Sequence, residues 1–163
     1  MAEHTATIQW ELGVDDFVSG RYARLHTWSF DGGVTVPGSP SPAVVPEPMS
    51  SHDAVDPEEA FVASVSSCHM LTFLYIAQRK GFVVERYRDD AVGKTARTDQ
   101  GRYWVSEIAL RPQIVYGDGK APPHEQEQEL HHLAHGQCFI ANSVKTEIRI
   151  EKPQTTDSIK TEL

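Results

Sequence analysis

Cysteine is scarce in this chain, with two in 163 residues, and cations are fewer than anions. The 15 lysines and arginines stand against 23 aspartates and glutamates, for a formal charge of −8. Two cysteines are too few for a disulfide scaffold, and a chain of this length builds a core without one. The acidic balance, with no basic stripe along the sequence, argues against a nucleic-acid partner. Long hydrophobic runs are also missing. Residues 66–77 are the most apolar stretch, but they are too short and too rich in Ser, Cys and His to span a bilayer. The opening MAEHTATIQWEL has neither the basic start nor the apolar centre of a secretory signal. Internal repeats and a second domain are absent from the pattern. The expectation is a cytoplasmic protein with one domain over residues 1–163, a flexible tail at 154–163, and no nucleic-acid or membrane partner. In that compartment two thiols are buried bystanders or chemical groups more often than a structural disulfide.

What is present reads as an α+β pattern. Residues 5–12 alternate as a strand. Residues 21–30 (RYARLHTWSF) alternate more informatively, with Tyr22, Arg24, His26, Trp28 and Phe30 on one face. If that aromatic face is the inward one, Arg24 and His26 lie among rings. Asp31-Gly32-Gly33 predicts a hairpin turn into a short strand at 34–36. Five prolines between 37 and 51 then predict an extended loop. At "DPEEAF" Asp56 is an N-cap, Pro57 the first helical residue and Glu59 the partner of a capping box. This helix is expected to run to about Lys80, stop at Gly81, and be covered on every side. Alternating segments at 83–96 and 102–116 predict an antiparallel hairpin, residues 125–142 a second helix, and residues 144–151 a half-buried strand. The order is that of an antiparallel α+β fold with a long central helix.

Cys68 sits in the middle of the first helix, in "SSCHML". A thiol reacts as its thiolate, and burial opposes ionisation. Cys68 lies about three turns into the helix, beyond the reach of the helix dipole. Reactivity therefore requires a neighbouring cation, and the helix itself has none between Pro57 and Gln78. Arg24 is the best candidate, because an inward guanidinium needs an anion. Glu58 is a second partner for Arg24 and would make a carboxylate–guanidinium–thiolate chain. Glu58 and Cys68 are ten residues apart, about 15 Å along one helix, so a composite site shared between two subunits is the simpler arrangement. Free cysteine is otherwise a common space-filling residue. Ser64, Ser66, Ser67 and His69 count against that reading here, since each buried polar group needs a partner.

Cys138 lies in "HHLAHGQCF", with His131, His135 and Cys138 at helical spacings of i, i+4 and i+7, at the rim of a buried stripe. Two chemistries fit. The histidines and cysteines are a zinc ligand set, or Cys138 resolves an oxidised Cys68 into a disulfide. With no carboxylate in position, no metal and no cofactor are expected.

"VDPEEAFVASVSSCHML" together with "HHLAHGQCFIANSVKTEI" resembles the OsmC/Ohr family, osmotically inducible protein C and its organic hydroperoxide resistance relatives. The resemblance reaches from the first strands to Glu151. It implies an intertwined homodimer with antiparallel sheets wrapped around long central helices. It implies a thiol-dependent peroxidase in which Cys68 attacks a small peroxide, Cys138 resolves the sulfenic acid, and a dithiol such as a dihydrolipoyl protein recycles the disulfide. Pro57-Glu58 matches the family's proline-glutamate, and Arg24, with Arg21 as the alternative, its arginine. Phe139 stands where the Ohr branch has a proline, which is similar to a less specific, OsmC-like branch. The competing reading from another class is a redox sensor or metal-binding protein using the same Cys and His groups.

Overall fold

The computed structural model describes residues 2–151. The expected flexible tail at 154–163 lies outside the described residues. The chain divides into two compact units, Met1–Phe61 and Val62–Leu163, with the boundary inside the first helix.

The first unit carries a three-stranded antiparallel sheet, β1 (Ala6–Gln9), β2 (His26–Phe30) and β3 (Thr35–Gly38), in that spatial order. The strand expected over 21–30 shortens to β2, because the backbone before it bonds elsewhere. The Arg24 N–H donates to Met49 O at 3.0 Å and the Ala23 N–H to the Asp15 carboxylate at 2.8 Å. The inward–outward alternation nonetheless continues through it, with Tyr22, Arg24, His26 and Trp28 half-buried and Arg21, Ala23, Leu25 and Thr27 exposed. Phe30 departs from it and is exposed. Pro37, expected in the loop, pairs with Thr27 in β3. An edge strand tolerates the missing N–H.

The long helix α1 (Pro57–Arg79) starts with the expected capping box. Glu59 N–H donates to Asp56 Oδ1 at 2.7 Å, and Asp56 N–H donates to Glu59 Oε2 at 3.1 Å. The two reciprocal bonds satisfy two donors that the first turn leaves open. It ends where Gly81 takes φ 84° and Phe82 N–H closes back onto Ala77 O at 3.0 Å, a left-handed stop that glycine adopts without strain.

Burial corrects one expectation. Rather than being covered on every side, α1 buries a single stripe of Val65, His69, Phe73, Ile76 and Ala77, while Leu71 and Tyr75 are 61% and 56% exposed. The chain supplies cover for one helix face only. By length and composition alone α1 is long and apolar enough to cross a bilayer, longer than the run at 66–77 weighed from sequence. The core helix of a globular protein passes the same test, and the buried stripe of α1 is that of a core helix.

In the second unit the expected long hairpin is present but split. Its tip is β5 (Val92–Arg97) against β6 (Tyr103–Leu110), closed by Gly101 at φ 77°; its base is β4 (Val84–Asp89) against β7 (Pro112–Tyr116). The split falls at Asp89, whose Oδ1 accepts the Arg111 N–H at 2.6 Å and whose Oδ2 accepts the Ser66 hydroxyl at 2.5 Å. The last strand, β8 (Glu147–Ile150), joins β6 in parallel, an exception to the antiparallel pairing of the other strands. There Glu107 faces Glu147 across the ladder, and Lys94 and Arg149 bridge to Glu107 at 2.8 Å and 3.2 Å, offsetting the like charges. The second helix, α2 (His124–Gln137), ends earlier than expected; Cys138 caps it in extended conformation. Leu130 and Ala134 of α2 meet Phe73, Ile76 and Ala77 of α1 in the main apolar cluster.

Candidate functional site

The two thiols are brought together from elements 70 positions apart in sequence. Both are free, Cys68 half-buried on α1 and Cys138 fully buried at the end of α2. The sequence pattern had placed Cys138 at the rim of the core; the early end of α2 turns it inward instead. Its backbone is held tightly. The Cys138 N–H donates to Ala134 O at 2.9 Å, and Asn142 donates to Cys138 O at 3.1 Å from both its backbone N–H and its Nδ2. The Ala141 N–H donates to the Cys138 sulfur at 3.4 Å.

Burial, and a hydrogen bond between the Cys138 thiol and Cys68, push Cys138 up from 9.0 to about 11. The nearby backbone N–H groups of Ala141 and Ile140 act the other way but do not offset this. Cys138 therefore holds its proton more firmly than an ordinary thiol, which makes it a poor nucleophile.

Ser66 and His69, on either side of Cys68, have partners. Ser66 donates to Asp89, and Ser67 points to the exposed side. His69 Nε2 and His131 Nδ1 share a hydrogen bond of 3.0 Å, with the rings stacked 5.3 Å apart at 11°. Burial lowers His69 to about 4, with repulsion from His131 and His135 adding to it, and burial lowers His131 to about 4. Both rings are neutral at pH 7. His131, which spacing along the helix put on one face with His135, is turned into the core against Phe73, ring centroids 4.5 Å apart. Among the described residues no group of three or more His, Cys, Asp or Glu side chains is placed to hold a metal ion.

Arg24 and Glu58 both belong to the first unit. Both line a cavity of about 460 Å³ together with Trp10, Phe17, Tyr22 and His26. The Arg24 guanidinium lies over the Tyr22 ring, 4.2 Å from its centroid, and no carboxylate pairs with it among the described residues. Its backbone is held by His26, whose Nδ1–H donates to Arg24 O at 2.8 Å while its Nε2 accepts the Trp28 indole N–H at 2.7 Å. Arg21, the alternative, is exposed and bridges in the backbone to Asp16. Of Tyr22, Trp28 and Phe30, only Tyr22 is in the lining of this cavity. Trp10 and Phe17, which pack on Tyr22 at 5.5 Å and 4.7 Å, complete the wall and were not singled out from sequence. Trp10 lies within the alternating segment 5–12 and Phe17 sits alone in a loop, and no periodicity links either to Tyr22.

The sequence profile of the OsmC-like protein family matches residues 50–152, a span holding both cysteines and the start of α1. The chain belongs to the OsmC-like family. An OsmC-like protein of unknown function from Vibrio cholerae is 48% identical, with a TM-score of 0.90 over 93% of this chain and 99% of that one. An organic hydroperoxide resistance protein from Legionella pneumophila shares the fold at 13% identity, with a TM-score of 0.70 over 94% of this chain and 98% of that one. Another from Bacillus subtilis does so at 14% identity, with a TM-score of 0.63 over 93% and 97%. A search of curated proteins gives no match. The α+β architecture expected from sequence is thus the OsmC fold.

Proposed function

We propose that this OsmC-like protein is a thiol-dependent peroxidase. The observation that carries the reading is the thiol pair: Cys138 rests against Cys68 and keeps its proton, while Cys68 is the more accessible of the two. In the proposed cycle the Cys68 thiolate attacks the terminal oxygen of a hydroperoxide. The O–O bond breaks, the sulfur is oxidised by two electrons to a sulfenic acid, and the departing alkoxide or hydroxide takes up a proton. The Cys138 thiol then attacks the Cys68 sulfur; the S–O bond breaks, water leaves with the Cys138 proton, and a disulfide remains. An external dithiol reduces it and is itself oxidised to a disulfide.

Arg24 is assigned the role of stabilising the Cys68 thiolate and orienting the peroxide, with Glu58 holding the guanidinium. That both line one cavity supports a role for Arg24 and Glu58 in a common site. Its aromatic wall suits a peroxide with a hydrocarbon tail. The names of the Legionella and Bacillus neighbours, organic hydroperoxide resistance proteins, lend support to that substrate class. We further propose a homodimer, in which a second copy covers the apolar face of α1 that Leu71 and Tyr75 leave open. A cytoplasmic location agrees with two free thiols.

The test is consumption of cumene hydroperoxide with excess dihydrolipoamide. Wild type is expected to turn over, Cys68→Ser to match the uncatalysed rate, and Arg24→Gln to lose about two orders of magnitude or more, since an unassisted buried thiol is mostly protonated. Cys138→Ser is expected to stop after one equivalent. A wild type that oxidises once and does not cycle with any dithiol would identify a redox sensor instead.

A further inference from the structure

The buried histidine pair is unused by the peroxidase cycle, yet its position relative to the thiols is closely constrained. His69 follows Cys68 on α1 and shares its rigid frame, to which Thr72 adds a hydroxyl bond to Cys68 O at 2.9 Å. His131 lies on α2 seven residues before Cys138, the extended residue that caps the helix. The backbone of Cys138 is in turn tied to the end of α2 by its bond to Ala134 O. The two helices therefore meet through a polar contact, His69 with His131, beside which the Cys138 thiol feels Cys68, and each cysteine is linked through the backbone to one of these histidines.

The remainder of this helix contact is apolar: Phe73, Ile76 and Ala77 against Leu130 and Ala134. Apolar contacts are non-directional and tolerate sliding. A hydrogen bond of 3.0 Å does not. A slip of one residue along a helix moves side chains by about 1.5 Å, enough to break it. Breaking it is costly because His69 is 1% and His131 7% exposed, and water does not replace the lost partner.

We propose that the His69–His131 pair is a positioning clasp that fixes the register of α2 on α1 and so holds Cys138 where it closes the disulfide with Cys68. This deepens the peroxidase reading and rests on Cys138 being the resolving thiol. The histidines transfer no proton and touch no substrate; they act through the helices that carry the thiols. A single buried polar pair specifying helix register has the same physical basis as the polar core positions of coiled coils.

The test uses the full chain and needs no peroxide. Wild type, His69→Leu/His131→Leu and His69→Gln/His131→Asn are equilibrated with reduced and oxidised glutathione, and the intramolecular disulfide is quantified by mass spectrometry. The leucine pair removes the clasp without leaving a buried nitrogen unpaired. Its effective thiol concentration is expected to fall about tenfold, equivalent to about 30 mV for this two-electron couple. The Gln/Asn pair places amide groups near the positions of Nε2 and Nδ1, restores a hydrogen bond, and is expected to return within about twofold of wild type, a rescue that a purely space-filling role does not produce. Equal values for wild type and a folded leucine pair would overturn the proposal. Should the leucine pair not fold, the Gln/Asn pair decides: a tenfold loss there overturns the clasp. A wild type that forms no intramolecular disulfide at all would instead overturn the resolving role of Cys138, whatever the histidines do.

Discussion

Mild acid should destabilise this protein through two particular imidazoles. His69 and His131 are held in the core as neutral rings, each lowered from 6.5 to about 4. In the unfolded chain both take up protons as the pH falls below 6.5, while in the folded chain they do not until about 4. The unfolded state then binds more protons, so stability is fully present above pH 6.5, declines through the window between, and levels off below about 4. Between about pH 7.5 and about pH 5 the shift corresponds to about 2 kcal/mol for each ring, about 4 kcal/mol for the pair.

Urea unfolding at the two pH values, followed by far-ultraviolet circular dichroism, measures this directly. The control is His69→Gln/His131→Asn, which keeps two polar partners and removes both titrations. It should be less stable than wild type at the higher pH, by about 1–3 kcal/mol for an imperfect replacement of a buried pair. Its loss on acidification should be smaller than that of wild type by about 4 kcal/mol, because the groups that take up protons on unfolding are gone. The other histidines and the carboxylates contribute equally to both proteins and cancel. An acid loss of the same size in wild type and variant would refute the reasoning, and with it the placement of the two rings as a neutral buried pair.

Two other substitutions test the packing around the candidate site. The Tyr87 hydroxyl is buried with no hydrogen-bond partner among the described residues, and burial together with nearby Asp89 raises its pKa; Tyr87→Phe should therefore be neutral or stabilising by up to about 1 kcal/mol, read as an unchanged or higher Tm. Gly38 lies opposite His26 in the β2–β3 ladder, and a methyl group there would meet His26 Nε2 and Trp28 Nε1 at 2.5 Å; Gly38→Ala should cost about 1–3 kcal/mol by overpacking, seen as a lowered Tm, and break the Trp28–His26 bond, seen as a shifted indole N–H resonance.

Local chemistry was legible in the sequence wherever a short run of residues decides the outcome. Asp56, Pro57 and Glu59 specify a helix start through bonds made within one turn, and Gly81 specifies its end because only glycine adopts that φ cheaply. The alternation through Tyr22, Arg24, His26 and Trp28 told which side of that segment is inward even where no strand forms. The two cysteine motifs, matched to a family pattern, pointed to the fold. Tertiary structure decided what depends on residues distant in the chain. The split of the hairpin at Asp89 follows from its bonds to Ser66 and to the Arg111 backbone. The aromatic wall of the Arg24 cavity is completed by Trp10 and Phe17, which no periodicity links to Tyr22. The sequence left His131 between a ligand and a surface residue because spacing along α2 says which residues share a face but not which neighbour that face meets. Only the docking of α2 on α1 turns it toward His69 and sets Cys138 against Cys68. Sequence periodicity records faces; which faces meet is settled by packing across the whole fold.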